Sequence, residues 1–153
     1  MDALQQMYQQ LILEHAKKPQ GRADTGPVAS FAAGGTSHQV NPTCGDEITL
    51  RLATDQGKVT DLAWSGHGCS ISQASASVMT DLALGADTGQ VRQAAQLFHE
   101  LMQSRGAGLA EADEDLLGDA TAFTGVSQYP ARIKCALLGW VALKDALAQA
   151  ESN

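Results

Sequence analysis

Cys44, Cys69 and Cys135 are the only thiols in this 153-residue chain, and each stands at an element boundary rather than inside an apolar run. Cys44 lies in "NPTCGD". There Pro42 fixes its own φ and biases Asn41 toward extended geometry, while Gly45 lets the backbone bend sharply. Asp46 follows two residues later, so one bend presents a thiol and a carboxylate together. Cys69 lies in "GHGCSIS", with Ser70 and Ser72 as helix-start residues around it. The positive end of that helix favours the thiolate form. Cys135 lies in "ARIKCALLGW", three residues after Arg132 on one helical face. Arg132 can therefore pair with a nearby carboxylate or thiolate.

Three thiolates and one carboxylate make four ligands, the number that Zn²⁺ takes in a tetrahedral site. The spacing is too dispersed for a zinc finger or ribbon, whose ligands come in close pairs. Free cysteine is also commonly an inert packing residue. On the residues alone, a metal site and three scattered core cysteines both stand. His67, two residues before Cys69, is a further candidate donor, although a histidine near a strand end more commonly makes solvent or hydrogen-bond contacts.

The elements that must position these residues follow from periodicity. Leu4, Met7, Tyr8, Leu11 and Ile12 mark one face of a first helix, continued by His15 and ended by Pro19 and Gly21. Residues 21 to 40 are rich in small residues and predict at most one weak strand. Ile48, Leu50 and Leu52, then Thr60, Leu62 and Trp64, alternate on either side of "TDQGK", which predicts a β-hairpin with one buried face. The segment "SGHGCS" is expected to break the second strand. Ile71, Ala74, Val78 and Leu82 mark a helix, and Val91 to Met102 another. Residues 104 to 125, with acids at 111 and 113 to 115, predict a loop with a short helical turn. A last helix starts near Pro130, a favoured first-turn residue, and runs to about Gln149. This order predicts one α+β domain over residues 1 to 153: a small antiparallel β-sheet with helices packed on one face.

Composition removes several classes. The net charge of −7 and the lack of a basic patch argue against nucleic acid and anionic membranes. No apolar run reaches membrane-spanning length. The N-terminus starts acidic and amphipathic, unlike a secretory leader, and three distant cysteines suit reduced thiols. A cytoplasmic location is expected. The serines at 70, 72, 75 and 77 have no acid–histidine pair beside them and are read as small packing and helix-start residues.

Taken together, "NPTCGDEITL", "GHGCSISQASASVM", "GVSQYPARIKCALLGW" and the N-terminal "YQQLILEHAKKPQGR" resemble the U-type iron–sulfur cluster assembly family, and within it the SufU branch. That resemblance implies the family's compact α+β fold and a metal site of Cys44, Asp46, Cys69 and Cys135. Two features match the branch. Lys134 directly precedes the last cysteine, where the scaffold branch carries histidine, and an acid-rich insertion separates Cys69 from Cys135.

The resemblance further implies a zinc-dependent sulfur carrier. It would take persulfide sulfur from a pyridoxal-phosphate cysteine desulfurase of the SufS type, and further SUF assembly proteins would be candidate partners. Cys44, on the loop with the greatest freedom, is the expected acceptor, and Arg132 is expected to orient Asp46 or screen the anionic site. Two rivals remain: a scaffold holding a transient [2Fe–2S] cluster on the same residues, and a structural zinc domain for protein contacts. A zinc hydrolase fits poorly, because three thiolates make a weak Lewis acid and leave no open water position.

Overall fold

The computed structural model describes residues 2–23, 34–43 and 45–152. Cys44, expected as both ligand and sulfur acceptor, lies outside the described residues. The elements run α1 (Ala3–Lys17), β1 (Gly34–Asn41), β2 (Asp46–Asp55), β3 (Lys58–His67), α2 (Ser70–Ala83), α3 (Thr88–Met102), α4 (Glu111–Leu117), a 3₁₀ stretch (Gly118–Gln128) and α5 (Pro130–Ser152). The three strands form an antiparallel sheet in the order β1-β2-β3. This is the α+β architecture that the alternating and helical periodicities predict.

The sheet's apolar face carries Ile48, Leu50, Leu52, Leu62 and Trp64, all buried, and packs on α2 and α5. The β2–β3 turn uses Gln56 and Gly57, both at positive φ. Consecutive left-handed residues suit the two-residue hairpin loop that matches strand twist. At Gly35 the approach of β1 to α5 is so close that an added Cβ would lie 1.9 Å from the Ala146 carbonyl oxygen. Glycine is what lets the last helix lie directly on the edge strand. Phe98 stacks on Trp140 with ring centroids 4.6 Å apart and meets Phe123 edge-on at 5.8 Å, joining α3, α5 and the 3₁₀ stretch.

Several elements differ from expectation. Up to and including Asn41 the chain forms an eight-residue strand fully paired with β2, not a weak one. Its polar and glycine residues hide it from pattern reading, since register here is set by the neighbouring strand. β3 does not break at Ser65 but pairs as far as His67. A register shift between Ala53 and Thr54 changes the phase of β3, so Val59 is buried and Thr60 is exposed. Residues 111 to 128 form α4 and the 3₁₀ stretch, which bury Leu117, Ala120, Phe123 and Val126 in the core. The acids at 111 to 115 mask this helix because they occupy its exposed first turns. In α1, Leu11 and Ile12 pack against the core, yet Leu4 and Met7 are more than half exposed. Tyr8 has its pKa raised, first by burial and then by the nearby Glu114 charge. No helix among the described residues is long and apolar enough to cross a membrane.

Candidate metal centre

Asp46 begins β2, Cys69 caps the start of α2 and Cys135 lies in the second turn of α5. These three elements meet at one end of the sheet. One ligand atom from each of Asp46, Cys69 and Cys135 lies within 4.8 Å of the other two. The Cys69 Sγ to Asp46 Oδ2 separation is 3.7 Å. A tetrahedral zinc ion with Zn–S near 2.3 Å and Zn–O near 2.0 Å sets its ligands about 3.5–3.8 Å apart. The donor set therefore fits a zinc ion with little movement, and its chemistry (two soft sulfurs and one carboxylate) suits that metal.

Local structure holds each donor in place. Asp46 is 2% exposed, and its Oδ1 accepts the Cys69 backbone N–H at 3.0 Å. The carboxylate thus supplies the helix start that Cys69 itself leaves uncapped. Gly68 allows this approach, because a Cβ there would lie 2.9 Å from Asp46 Oδ1 and 2.3 Å from Ser72 Oγ. Cys69 is exposed and Cys135 is buried, so the cluster opens to solvent on the α2 side. Gly45, at φ +75, makes the left-handed turn into β2.

Buried polar contacts fix the distance between the two cysteine-bearing helices. Ser75 Oγ donates to the Ala136 carbonyl at 2.6 Å and accepts from Trp140 Nε1 at 3.1 Å. Both contacts lie close in sequence to the cysteines, which makes Ser75 a strut between α2 and α5. Ser77 Oγ lies 2.7 Å from His15 Nδ1 and accepts the Gln20 backbone N–H at 2.7 Å, tying the end of α1 to α2. Sequence reading takes these serines as small packing residues; their hydroxyls prove to be the interhelical links. His15, which continues the apolar face of α1 in the sequence, makes this contact at the helix end.

The remaining candidates, His67 and Arg132, fall outside this cluster. His67 is exposed and is not one of the three clustered donors. His38 pairs across the sheet with Glu47, Nε2 to Oε2 at 3.5 Å. Lys134 is exposed. Arg132 is exposed on the first turn of α5, with its guanidinium 5.2 Å from the Tyr129 ring centroid.

Asp46→Ala is expected to weaken metal binding less than Cys69→Ser. Water can replace one oxygen ligand, whereas a lost thiolate removes a strong donor. Chelator competition on the two variants checks the order. Equal and complete metal loss would make Asp46 an indispensable anchor.

Comparison with known proteins gives consistent results. The model of the NifU-like N terminal domain matches residues 7–148. The chain is 38% identical over 151 residues to the zinc-dependent sulfurtransferase SufU of Bacillus subtilis (strain 168), covering 98% of this chain and 95% of that one. It is 35% identical over 147 residues to the iron–sulfur cluster assembly scaffold protein IscU of Streptococcus pyogenes serotype M1, covering 96% of this chain and 86% of that one. The crystal structure of a nitrogen-fixing NifU-like protein (N-terminal) from Brucella abortus superposes with a TM-score of 0.79 at 28% identity, covering 99% of each chain.

Proposed function

Since the chain belongs to the NifU-like N-terminal domain family, we propose that it is a cytoplasmic, zinc-dependent sulfur carrier in iron–sulfur cluster biogenesis. The observation that carries this reading is the convergence of Asp46, Cys69 and Cys135 within 4.8 Å. Cys44, two residues before Asp46, completes the four-ligand set. Zinc bound there keeps its thiolates deprotonated at neutral pH and restrains their nucleophilicity.

The sulfur relay then needs only this chain's thiolate and a partner's persulfide. The Cys44 thiolate attacks the terminal sulfur on the cysteine of a pyridoxal-phosphate desulfurase of the SufS type. A new S–S bond forms as the old one breaks, the partner cysteine leaves as a thiolate, and Cys44 carries the persulfide. No net oxidant or reductant is consumed. Cys69 and Cys135, set on helices linked by Ser75, would hold the metal and leave Cys44 free to act as the acceptor. Asp46 is the harder, weaker ligand, and Arg132 moderates the anionic cluster.

A second reading makes the same residues a scaffold for a transient [2Fe–2S] cluster, and the identity to the Streptococcus pyogenes scaffold protein favours it. Lys134 weighs against it, standing where the scaffold branch would place a histidine ligand. Metal analysis of the protein isolated without added metal decides between them. The expected result is about one zinc per chain, following the four-ligand count. Iron–sulfur colour with negligible zinc overturns the carrier reading in favour of the scaffold.

A further inference from the structure

We propose that the side-chain amide of Asn41 is the hydrogen-bond donor that stabilises thiolate sulfur in the metal-loaded site; this rests on the zinc reading above. Asn41 ends β1 directly opposite Asp46 in the sheet register. Paired residues share a face of the sheet, and both are buried, Asn41 at 6% exposure and Asp46 at 2%. Asn41 also organises the turn that follows it. Its main-chain oxygen accepts the Gly45 N–H at 2.8 Å, and its Oδ1 accepts the Thr43 N–H at 3.2 Å.

The second of these bonds fixes which end of the amide is oxygen and which is nitrogen. The nitrogen, Nδ2, is then a buried donor with no hydrogen-bond partner among the described residues. A buried donor is costly to leave unmatched, and native structures leave few. Asp46, the register partner of Asn41, has its ligand atom within 4.8 Å of the Cys69 and Cys135 sulfurs, so the clustered thiols border this end of the sheet. A neutral thiol accepts weakly, whereas a metal-bound thiolate carries negative charge and accepts well. A neutral amide can therefore offset charge on the sulfur without bringing a second cation to the metal. On metal loading this donor would gain a thiolate acceptor, as outer-shell groups around metal ligands typically do.

The test uses the nitrogen-labelled full chain loaded with a spin-active cadmium isotope as the thiolate-seeking probe. The Asn41 amide signal is identified by its absence in Asn41→Asp. On loading, one Asn41 amide proton is expected to move downfield and to show scalar coupling to the cadmium through the N–H···S bond. A cadmium resonance typical of thiolate ligation with an unmoved Asn41 amide overturns the inference and leaves the site reading standing. A cadmium resonance without thiolate character overturns the site reading, and this inference with it.

Asn41→Asp supplies an independent readout, since it keeps the acceptor for Thr43 and the main-chain bond to Gly45 but removes the donor. Zinc affinity by chelator competition is expected to fall roughly 10–100-fold, the usual cost of losing an outer-shell partner. Unchanged affinity in this variant, with its strand signals retained, overturns the proposal.

Discussion

Cys44→Ala is expected to abolish both persulfide acceptance and stimulation of the partner desulfurase while leaving the fold in place. The reason lies in how the surrounding turn is held. Thr43 and Gly45 are fixed by the oxygens of Asn41, and Asp46 by its bond to the Cys69 backbone, so none of these anchors uses the Cys44 side chain. The core rests on Leu50, Leu52, Trp64, Phe98 and Leu143, none of which belongs to that turn. Turnover of the desulfurase, measured with and without the variant, should therefore show no increase, while the far-ultraviolet circular dichroism matches that of the parent. A structural zinc domain predicts lower thermal stability with sulfur transfer intact, so it is the transfer that separates the two readings. A variant that stimulates normally contradicts the relay.

Removal of zinc by a chelator is expected to lower the melting temperature by roughly 5–10 °C. Binding to the folded state alone stabilises by about 2.7 kcal/mol when free metal is a hundredfold above Kd. A domain of this size shifts by about 2–4 °C per kcal/mol. The physical source is the loss of a common anchor for β2, α2 and α5, the elements that carry Asp46, Cys69 and Cys135. Readdition of zinc should restore the transition. A melting curve unchanged after complete removal counts against a shared site.

Much of this organisation is legible in the sequence, and the exceptions have physical causes. Ile48, Leu50 and Leu52 reveal β2 because a half-buried strand must alternate. The spacing of the three cysteines leaves a common site open, the resemblance of their motifs to the U-type family implies one, and the structure brings Cys69 and Cys135 together with Asp46. β1 is hidden because Gly34, Gly35, Thr36 and Ser37 carry no apolar alternation; pairing to β2 and the close passage of α5 over Gly35 define it instead. Val59 takes the place expected of Thr60 because an irregularity in strand pairing leaves no compositional trace. The helical structure between 111 and 128 is concealed by its charged first turns, although Leu117 and Phe123 anchor it. Asn41 reads only as a turn former; its buried amide nitrogen, unmatched among the described residues, is a fact of tertiary structure.

The central claim is that sulfur passes to this chain through the thiol of "NPTCGD", and locating the transferred atom tests it most directly. The zinc-loaded protein is incubated with the desulfurase and cysteine, trapped with an alkylating agent, and digested for mass spectrometry under non-reducing conditions. The account predicts one added sulfur on the peptide containing Cys44, with the Cys69 and Cys135 peptides unmodified. Added sulfur on Cys69 or Cys135, with none on Cys44, would contradict it.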